Sequence, residues 1–256
     1  MMTKFSPEQF EDYRNHSLSF RDVTKDCLPL LTKMGQLIHD EFKDKDAPRS
    51  IVFCHDIIKR VRENLFFLTE SNPPQENNSI PLQLILRSVF GDLIMLTYIV
   101  DNLGNKETIS AFLCANDLDA VKGKRTFADC EKEFLILCGK EDWVNFFDSK
   151  QEELSDTLND IVASFRSKTQ LKKKAGITKI SEIAEYYKSK SELKPLRAIL
   201  FGPFKMLSQV EHYANENRSY SYFNTNVAFF FHRFALNYKF VIEWMCKELE
   251  TYLKRD

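Results

Sequence analysis

Glycine and proline are scarce in this chain, and their scarcity limits the folds open to it. Seven glycines and eight prolines are spread over 256 residues. A sheet protein of this size needs many tight turns, and such turns draw on both residues. Hydrophobic residues make up 43% of the sequence and 22 residues are phenylalanine, which is enough for a substantial core. The sequence therefore predicts an all-α protein, an up-and-down helical bundle with additional peripheral helices.

The helix signals divide the chain into long segments. We expect one domain over residues 1–256, in which the helices of residues 1–70 pack as a subdomain on a core of residues 80–255. Ser6 and Pro7 cap a first helix, and a second is expected from Thr24 to Phe42. The helix that starts near residue 106 is expected to break near Gly123 and to stop at Gly139.

Composition excludes several classes of site. The formal net charge is −1, so nothing attracts the whole chain to nucleic acid or to an anionic membrane, although a local basic patch stays open. The six cysteines form no C-x-x-C pair, no histidine stands near a cysteine pair at zinc spacing, and no glycine-rich phosphate loop is present. The N-terminal residues lack the apolar stretch of a signal peptide. We expect a cytoplasmic protein with no metal, no cofactor and no membrane partner.

Residues 80–100 are the most apolar segment, yet they contain Arg87 and Asp92. Charges near the centre of a span are costly in a bilayer, so the segment predicts a buried core helix. A spacing of five residues puts the two charges about 140° apart, so each is expected to find its partner on a neighbouring helix. His212 is a candidate partner for Asp92. The alternative is a structural ion pair that fixes the register of the helix.

Ser208 and His212 carry the clearest chemical pattern. They stand four residues apart, about 40° apart around a helix, so a histidine base can reach a hydroxyl nucleophile. Arg87 would hold an anion, Asp92 would orient His212, and His212 would move the proton. The alternative is an ordinary hydrogen bond within the helix.

Two motifs resemble a bacterial family of uncharacterised all-helical proteins. Residues 79–92 (SIPLQLILRSVFGD) are similar to that family's core helix with an arginine and an acid, and residues 204–212 (FKMLSQVEH) are similar to its later helix with serine and histidine. The resemblance covers residues 80–250. It implies a helical bundle in which Arg87, the acid, Ser208 and His212 converge, with no activity to carry over. The family acid is usually glutamate where this chain has Asp92, and tyrosine is frequent where it has phenylalanine at 201 and 204.

A second, more distant resemblance is to HEPN-type helical ribonucleases. Arg49 and His55 fit the arginine-to-histidine spacing with which such enzymes act on a phosphodiester. Ser50 stands where asparagine or aspartate is common.

Three functions therefore stay open, and whether the protein is an enzyme is one of the open questions. The first is a polar pocket between the helices of residues 80–100 and 194–215, which binds a small polar or anionic ligand or performs acid–base chemistry. The second is a non-catalytic interaction module, dimeric through a helix face. The third is a HEPN-like ribonuclease of a defence or toxin system, with Arg49 and His55 exposed together.

Overall fold

The computed structural model describes residues 7–71, 79–140, 143–168, 180–190, 193–212 and 217–254. Within these ranges every long element is an α-helix, which confirms the all-α prediction. In chain order the helices are α1 (Pro7–Phe42), α2 (Arg49–Glu70), α3 (Ser79–Asn102), α4 (Lys106–Leu137), α5 (Val144–Lys168), α6 (Ile180–Ser189), α7 (Lys194–His212) and α8 (Asn217–Leu253).

The chain divides into two compact units. The first comprises Met1–Gly104 and Ile180–Asp256, and the second comprises Asn105–Lys179. The first unit therefore holds α1, α2, α3, α6, α7 and α8, and the second holds α4 and α5. The expectation of a single domain with an N-terminal subdomain stays a prediction.

Four helices of the first unit form a closed bundle. α1 packs on α2 and α8, and α3 packs on the same two helices from the other side. The buried positions of α1 follow a spacing of three and four residues, which is the heptad pattern of coiled-coil packing. They are Ser17, Phe20, Thr24, Cys27, Leu31, Met34 and Ile38. Those of α8 repeat the spacing: Ala228, Phe231, Ala235, Tyr238, Ile242, Met245 and Leu249.

The helix α1 corrects the expectation of two separate helices before residue 42. It runs unbroken through Pro29, although proline cannot donate the backbone hydrogen bond of a helix interior. Pro29 is exposed, so water can reach the carbonyl that loses its donor, while the apolar face of α1 stays continuous beneath. Burial of that face outweighs the local cost of the proline.

α1 and α8 run parallel, since their contacts advance together along both chains. His16 lies beside His232, Phe20 contacts Phe231, and the Lys33 ammonium pairs with the Glu250 carboxylate at 3.0 Å. One hydrogen bond lies inside this apolar seam. The Thr24 hydroxyl donates to the Phe20 carbonyl at 2.6 Å, so it accepts from the Tyr238 hydroxyl. A buried polar pair of this kind favours one register over its neighbours.

α6 and α7 pack on the remaining face of α3. Gly91 of α3 lets them come close, because a Cβ there would lie 3.4 Å from the Phe204 ring and 3.7 Å from Ile180. Tyr187 of α6 is fully buried and sets its ring edge-on to Phe201. This packing brings the ring of Phe204, and Ser208 one turn later, to the side of α3.

The second unit is a hairpin of α4 and α5. α4 continues through Gly123, so the expected break is wrong: the apolar pattern persists on both sides of that glycine. The predicted stop at Gly139 is confirmed. Gly139 has a φ of 66°, its N–H donates to Ile136, and the Lys140 N–H donates to Leu135, which together form a Schellman motif. The Lys132 ammonium pairs with the Asp148 carboxylate and so links the two helices.

One helix of the described chain, Pro81–Asn102, is long and apolar enough to cross a membrane by length and composition. In the structure 72% of its most apolar window is buried against other helices. That burial is typical of the core helix of a soluble protein and agrees with the prediction of a buried core helix.

Candidate functional site

Arg87 and Ser208 are brought together by the contact of α3 with α7. The Arg87 Nε–H donates to the Ser208 hydroxyl oxygen at 3.1 Å, and the guanidinium lies 5.7 Å from the centre of the Phe204 ring. The Ser208 hydroxyl in turn donates to the Phe204 carbonyl at 2.8 Å. Since its only proton is used in that bond, Ser208 holds Arg87 in place as an acceptor. This is an arginine anchored at the edge of the bundle, half-buried and stacked on an aromatic face.

Asp92 faces a different neighbour. Both of its carboxylate oxygens accept from Arg60 of α2, at 2.7 Å from Nε and 2.5 Å from Nη2. The Asp92 side chain is 6% exposed and that of Arg60 is 52% exposed, so the arginine reaches in from the surface. The hydrogen bond to Asp92 raises the pKa of Arg60. The prediction that Asp92 needs a partner from another helix is confirmed, and Arg60 is that partner.

The expected group of four is thus only partly assembled among the described residues. Arg87 and Ser208 meet at α7, while Asp92 turns to α2, as the 140° between the two charges on α3 requires. His212 ends α7, and its side chain lies outside the described residues. The pairing of Asp92 with His212, and the roles given to Ser208 and His212 in catalysis, stay predictions.

A polar cluster that sequence reasoning missed closes the end of α3. The Tyr186 hydroxyl donates to the Asp101 carboxylate at 2.5 Å and accepts from the Asn102 amide at 3.0 Å. The Lys190 ammonium pairs with the same carboxylate at 3.0 Å. Burial, followed by the hydrogen bond to Asp101, raises the pKa of Tyr186. A phenol held protonated in this way anchors α6 to α3 and is a poor base. The sequence signal for this polar cluster was the pair of polar residues, Asp101 and Asn102, at the end of the most apolar helix.

Arg49 and His55 lie on the same helix but on different faces. Arg49 is the first residue of α2 and is exposed, and the His55 side chain is 45% exposed with its Nδ1 4.0 Å from the Asp56 carboxylate. Six residues on an α-helix correspond to about 120°, so the two side chains point apart. One chain does not build a joint site from them, and an arrangement across two copies stays a prediction.

Among the described residues, the outer face of α4 is an apolar surface that its own unit leaves exposed. From residue 120 onward, α4 has a row of uncharged residues at alternating steps of three and four. They are Ala120, Gly123, Phe127, Cys130, Phe134 and Leu137. All six are exposed, with Phe127 at 63%, Phe134 at 60% and Leu137 at 85%. We call these six residues the α4 face. Buried Ala128 lies about 100–120° around the helix from Phe127 and Phe134, so this is not the side turned to α5.

Two aromatic side chains at the start of α5 are exposed as well. They are Trp143 and Phe146. Exposed aromatic residues scattered singly need no explanation, but a continuous row at heptad spacing is typical of a helix that packs on another helix. The heptad pattern of α4 was the signal in the sequence, hidden by the expectation of a break at Gly123.

Comparisons with known proteins identified no relative of this chain. No protein-family model matches it, and neither a curated protein nor a solved structure matches. The resemblances to the bacterial helical family and to HEPN-type proteins therefore stay predictions, and the proposals below rest on the geometry of the chain itself.

Proposed function

We propose that this protein is a non-catalytic helical interaction module that forms a homodimer through the α4 face. The carrying observation is the exposed heptad row on α4. In the first unit the same spacing on α1 and α8 is fully buried, which indicates that the row on α4 is built to receive a helix.

The α4 face is complementary to itself. In an antiparallel pair with its twofold axis between residues 128 and 129, each large side chain meets a small one. Leu137 then lies opposite Ala120, Phe134 opposite Gly123, and Phe127 opposite Cys130 of the second copy. A twofold interface must be self-complementary in this sense, because the same patch forms both sides. A second copy of this chain is therefore the partner that the α4 face fits.

The charges beside the row favour the same arrangement. In heptad terms Lys124 and Glu131 occupy the flanking positions next to the apolar row. In the antiparallel pair Lys124 of each copy lies near Glu131 of the other, which gives two attractive contacts. Such flanking charges set the partner and the orientation of helix pairs.

The exposed area reaches the size that a dimer needs when the proposed interface includes Trp143 and Phe146 as well as the α4 face. Phe127, Phe134, Trp143 and Phe146 are each more than half exposed. With roughly 200 Å² for an aromatic side chain, burying these exposed parts removes on the order of 500 Å² per copy and about 1,000 Å² in the pair. Specific interfaces begin at about that total area.

Sedimentation velocity from about 1 to 100 μM tests the dimer, since an interface near the lower limit of size is expected to be weak or transient. We expect a dimer for the natural chain and a monomer for Phe127→Glu/Phe134→Glu. The control is Phe66→Glu/Phe67→Glu, which changes two phenylalanines of the first unit that are 57% and 55% exposed, and it should stay dimeric. A monomeric natural chain at the highest concentration, or equal behaviour of both variants, overturns the proposal.

A charge exchange tests the antiparallel arrangement. Lys124→Glu should weaken the dimer, because it sets glutamates against each other at both ends. Lys124→Glu/Glu131→Lys should restore it, since the attraction returns with its sign reversed. If the double variant is as weak as the single one, the antiparallel register is wrong even where the dimer itself persists.

We propose the cytoplasm as the place of action. Cys27, Cys54, Cys130, Cys138 and Cys246 are free thiols in the structure. Exposed free thiols such as Cys130 and Cys138 persist in a reducing compartment.

The anchored guanidinium of Arg87 supports a second proposal, an anion-binding site between α3 and α7. Ser208 and Phe204 fix its orientation, and a positioned arginine is well suited to phosphate or carboxylate. We expect inorganic phosphate to raise the melting temperature of the natural chain and of Arg62→Ala, an exposed control on α2, but not that of Arg87→Ala. Equal shifts in all three proteins remove this site.

A further inference from the structure

Two histidines that are 216 residues apart in sequence face each other across α1 and α8. The Nδ1 atoms of His16 and His232 lie 3.3 Å apart, and their ring centres are 5.5 Å apart with the planes tilted by 37°. Both side chains are half-buried. Phe229 sets its ring edge-on to His16 at 5.4 Å and is itself exposed, so one side of the pair borders on solvent.

The separation of the two nitrogens is that of two ligands on one metal ion. With metal–nitrogen bonds of about 2.0–2.1 Å and a tetrahedral angle, two ligating nitrogens stand about 3.3–3.4 Å apart. The bundle already holds the two Nδ1 atoms at that spacing, which is also the spacing of a hydrogen bond between the rings. Neutral imidazole is the form of histidine that binds a metal ion.

We propose that His16 and His232 form a two-histidine site for a divalent transition-metal ion, which joins the α1 and α8 helices. Imidazole nitrogen suits Ni²⁺, Cu²⁺ and Zn²⁺, with Cu²⁺ bound most tightly. Among the described residues no three His, Cys, Asp or Glu side chains are grouped to hold a metal. In this proposal the two rings are the protein ligands, and water fills the remaining positions on the solvent side. The site departs from the sequence-based expectation of no metal. Two histidines so far apart in the sequence form no local spacing pattern that would predict a metal site.

Calorimetric titration with Ni²⁺ tests the site. The titration uses the Cys130→Ser/Cys138→Ser background, since both thiols are exposed and thiolates bind metal. We expect one Ni²⁺ per chain, and at least about tenfold weaker binding when either His16→Ala or His232→Ala removes a ligand. The controls are His39→Ala on an exposed turn of α1 and His55→Ala on α2, which should bind Ni²⁺ like the background protein.

Electron paramagnetic resonance of bound Cu²⁺ counts the imidazole nitrogens that bind the ion. It therefore distinguishes a metal ligand from a histidine that only stabilises the fold. The background protein should show coupling to two imidazole nitrogens, and each single variant should show one. Far-UV circular dichroism checks that the variants fold, and His16→Gln replaces His16→Ala if the latter does not. No Ni²⁺ binding by the background protein at millimolar concentration overturns the site and leaves a plain hydrogen bond between the rings. Equal losses in the His39 or His55 control also overturn it.

Discussion

The two units use the same apolar spacing with opposite results. In the first unit the heptad rows of α1 and α8 close on each other, and Phe231 in that seam is fully buried. In the second unit the row on α4 ends in Phe127, Phe134 and Leu137, which are exposed. The spacing of apolar residues thus predicts that a helix needs a partner, but not whether the partner lies in the same chain. A bundle of four helices buries the apolar rows of its own helices, whereas a hairpin of two helices leaves one apolar row exposed.

Truncating one phenylalanine in each unit gives the largest contrast. Phe231→Ala should lower the free energy of unfolding of the first unit by about 3–5 kcal/mol, since it opens a cavity in a packed seam. Phe134→Ala should change that free energy by less than about 0.5 kcal/mol, because the side chain is exposed in its own chain. Its effect should appear instead as weaker dimerisation. Urea unfolding with sedimentation velocity separates the two, and a large loss of monomer stability in Phe134→Ala would contradict the contrast.

Breaking an ion pair should also lower the free energy of unfolding more in the first unit than in the second. Asp92→Ala should cost about 1.5–3 kcal/mol, because it removes two charge-assisted hydrogen bonds to Arg60 from a buried carboxylate. Asp148→Ala breaks the pair with Lys132, which is half-exposed, and should cost less than about 1 kcal/mol. The measurement is urea unfolding of each variant beside the natural chain. Equal costs would mean that Asp92 is less buried in solution than in the structure.

The thiols sharpen the comparison, since both units carry them. Cys27 and Cys54 lie buried in the first unit, and burial raises the pKa of each to about 12, so their alkylation should be very slow. Cys130 and Cys138 are both exposed in the hairpin, but only Cys130 belongs to the α4 face. In a dimer Cys130 should react about tenfold more slowly than Cys138, a difference of about 1.4 kcal/mol, and the two rates should converge on dilution. Equal rates at all concentrations would show that α4 is uncovered.

Sequence reasoning predicted the elements well and their contacts poorly, for physical reasons. Helix periodicity and the cap at Gly139 are local, so they gave the helices and the end of α4. The break at Gly123 was wrong because one glycine costs a helix only about 1 kcal/mol. The demand of Asp92 for a partner follows from burying a charge. Its choice of Arg60 over the other cations of α2 depends on the rotation of two helices, which no local pattern encodes. The meeting of His16 with His232 is equally non-local.

Alkaline pH should lower the stability of the first unit more than that of the second, although the effect is smaller than those of the substitutions above. All nine tyrosines lie outside residues 105–179, so the second unit has none. Burial raises the pKa of Tyr98 to about 12 and raises those of Tyr187 and Tyr238 as well. In the unfolded chain each phenol loses its proton near pH 10, whereas the folded chain still holds it there.

Because of Tyr98, the folded state binds more protons between about pH 10 and 12, and its stability falls by about 1 kcal/mol per pH unit through that window. Tyr187 and Tyr238 act in the same direction. Below pH 10 this contribution is fully present. Trp244 in α8 and Trp143 beside α5 report the two units separately, when each is left as the sole tryptophan by replacing the other with phenylalanine. Unfolding followed at Trp244 should shift to lower urea from pH 10 upward, while unfolding followed at Trp143 should shift less. If the two unfolding transitions shift together, the two units unfold as one cooperative structure. The closed bundle and the open hairpin would then differ in packing but not in stability.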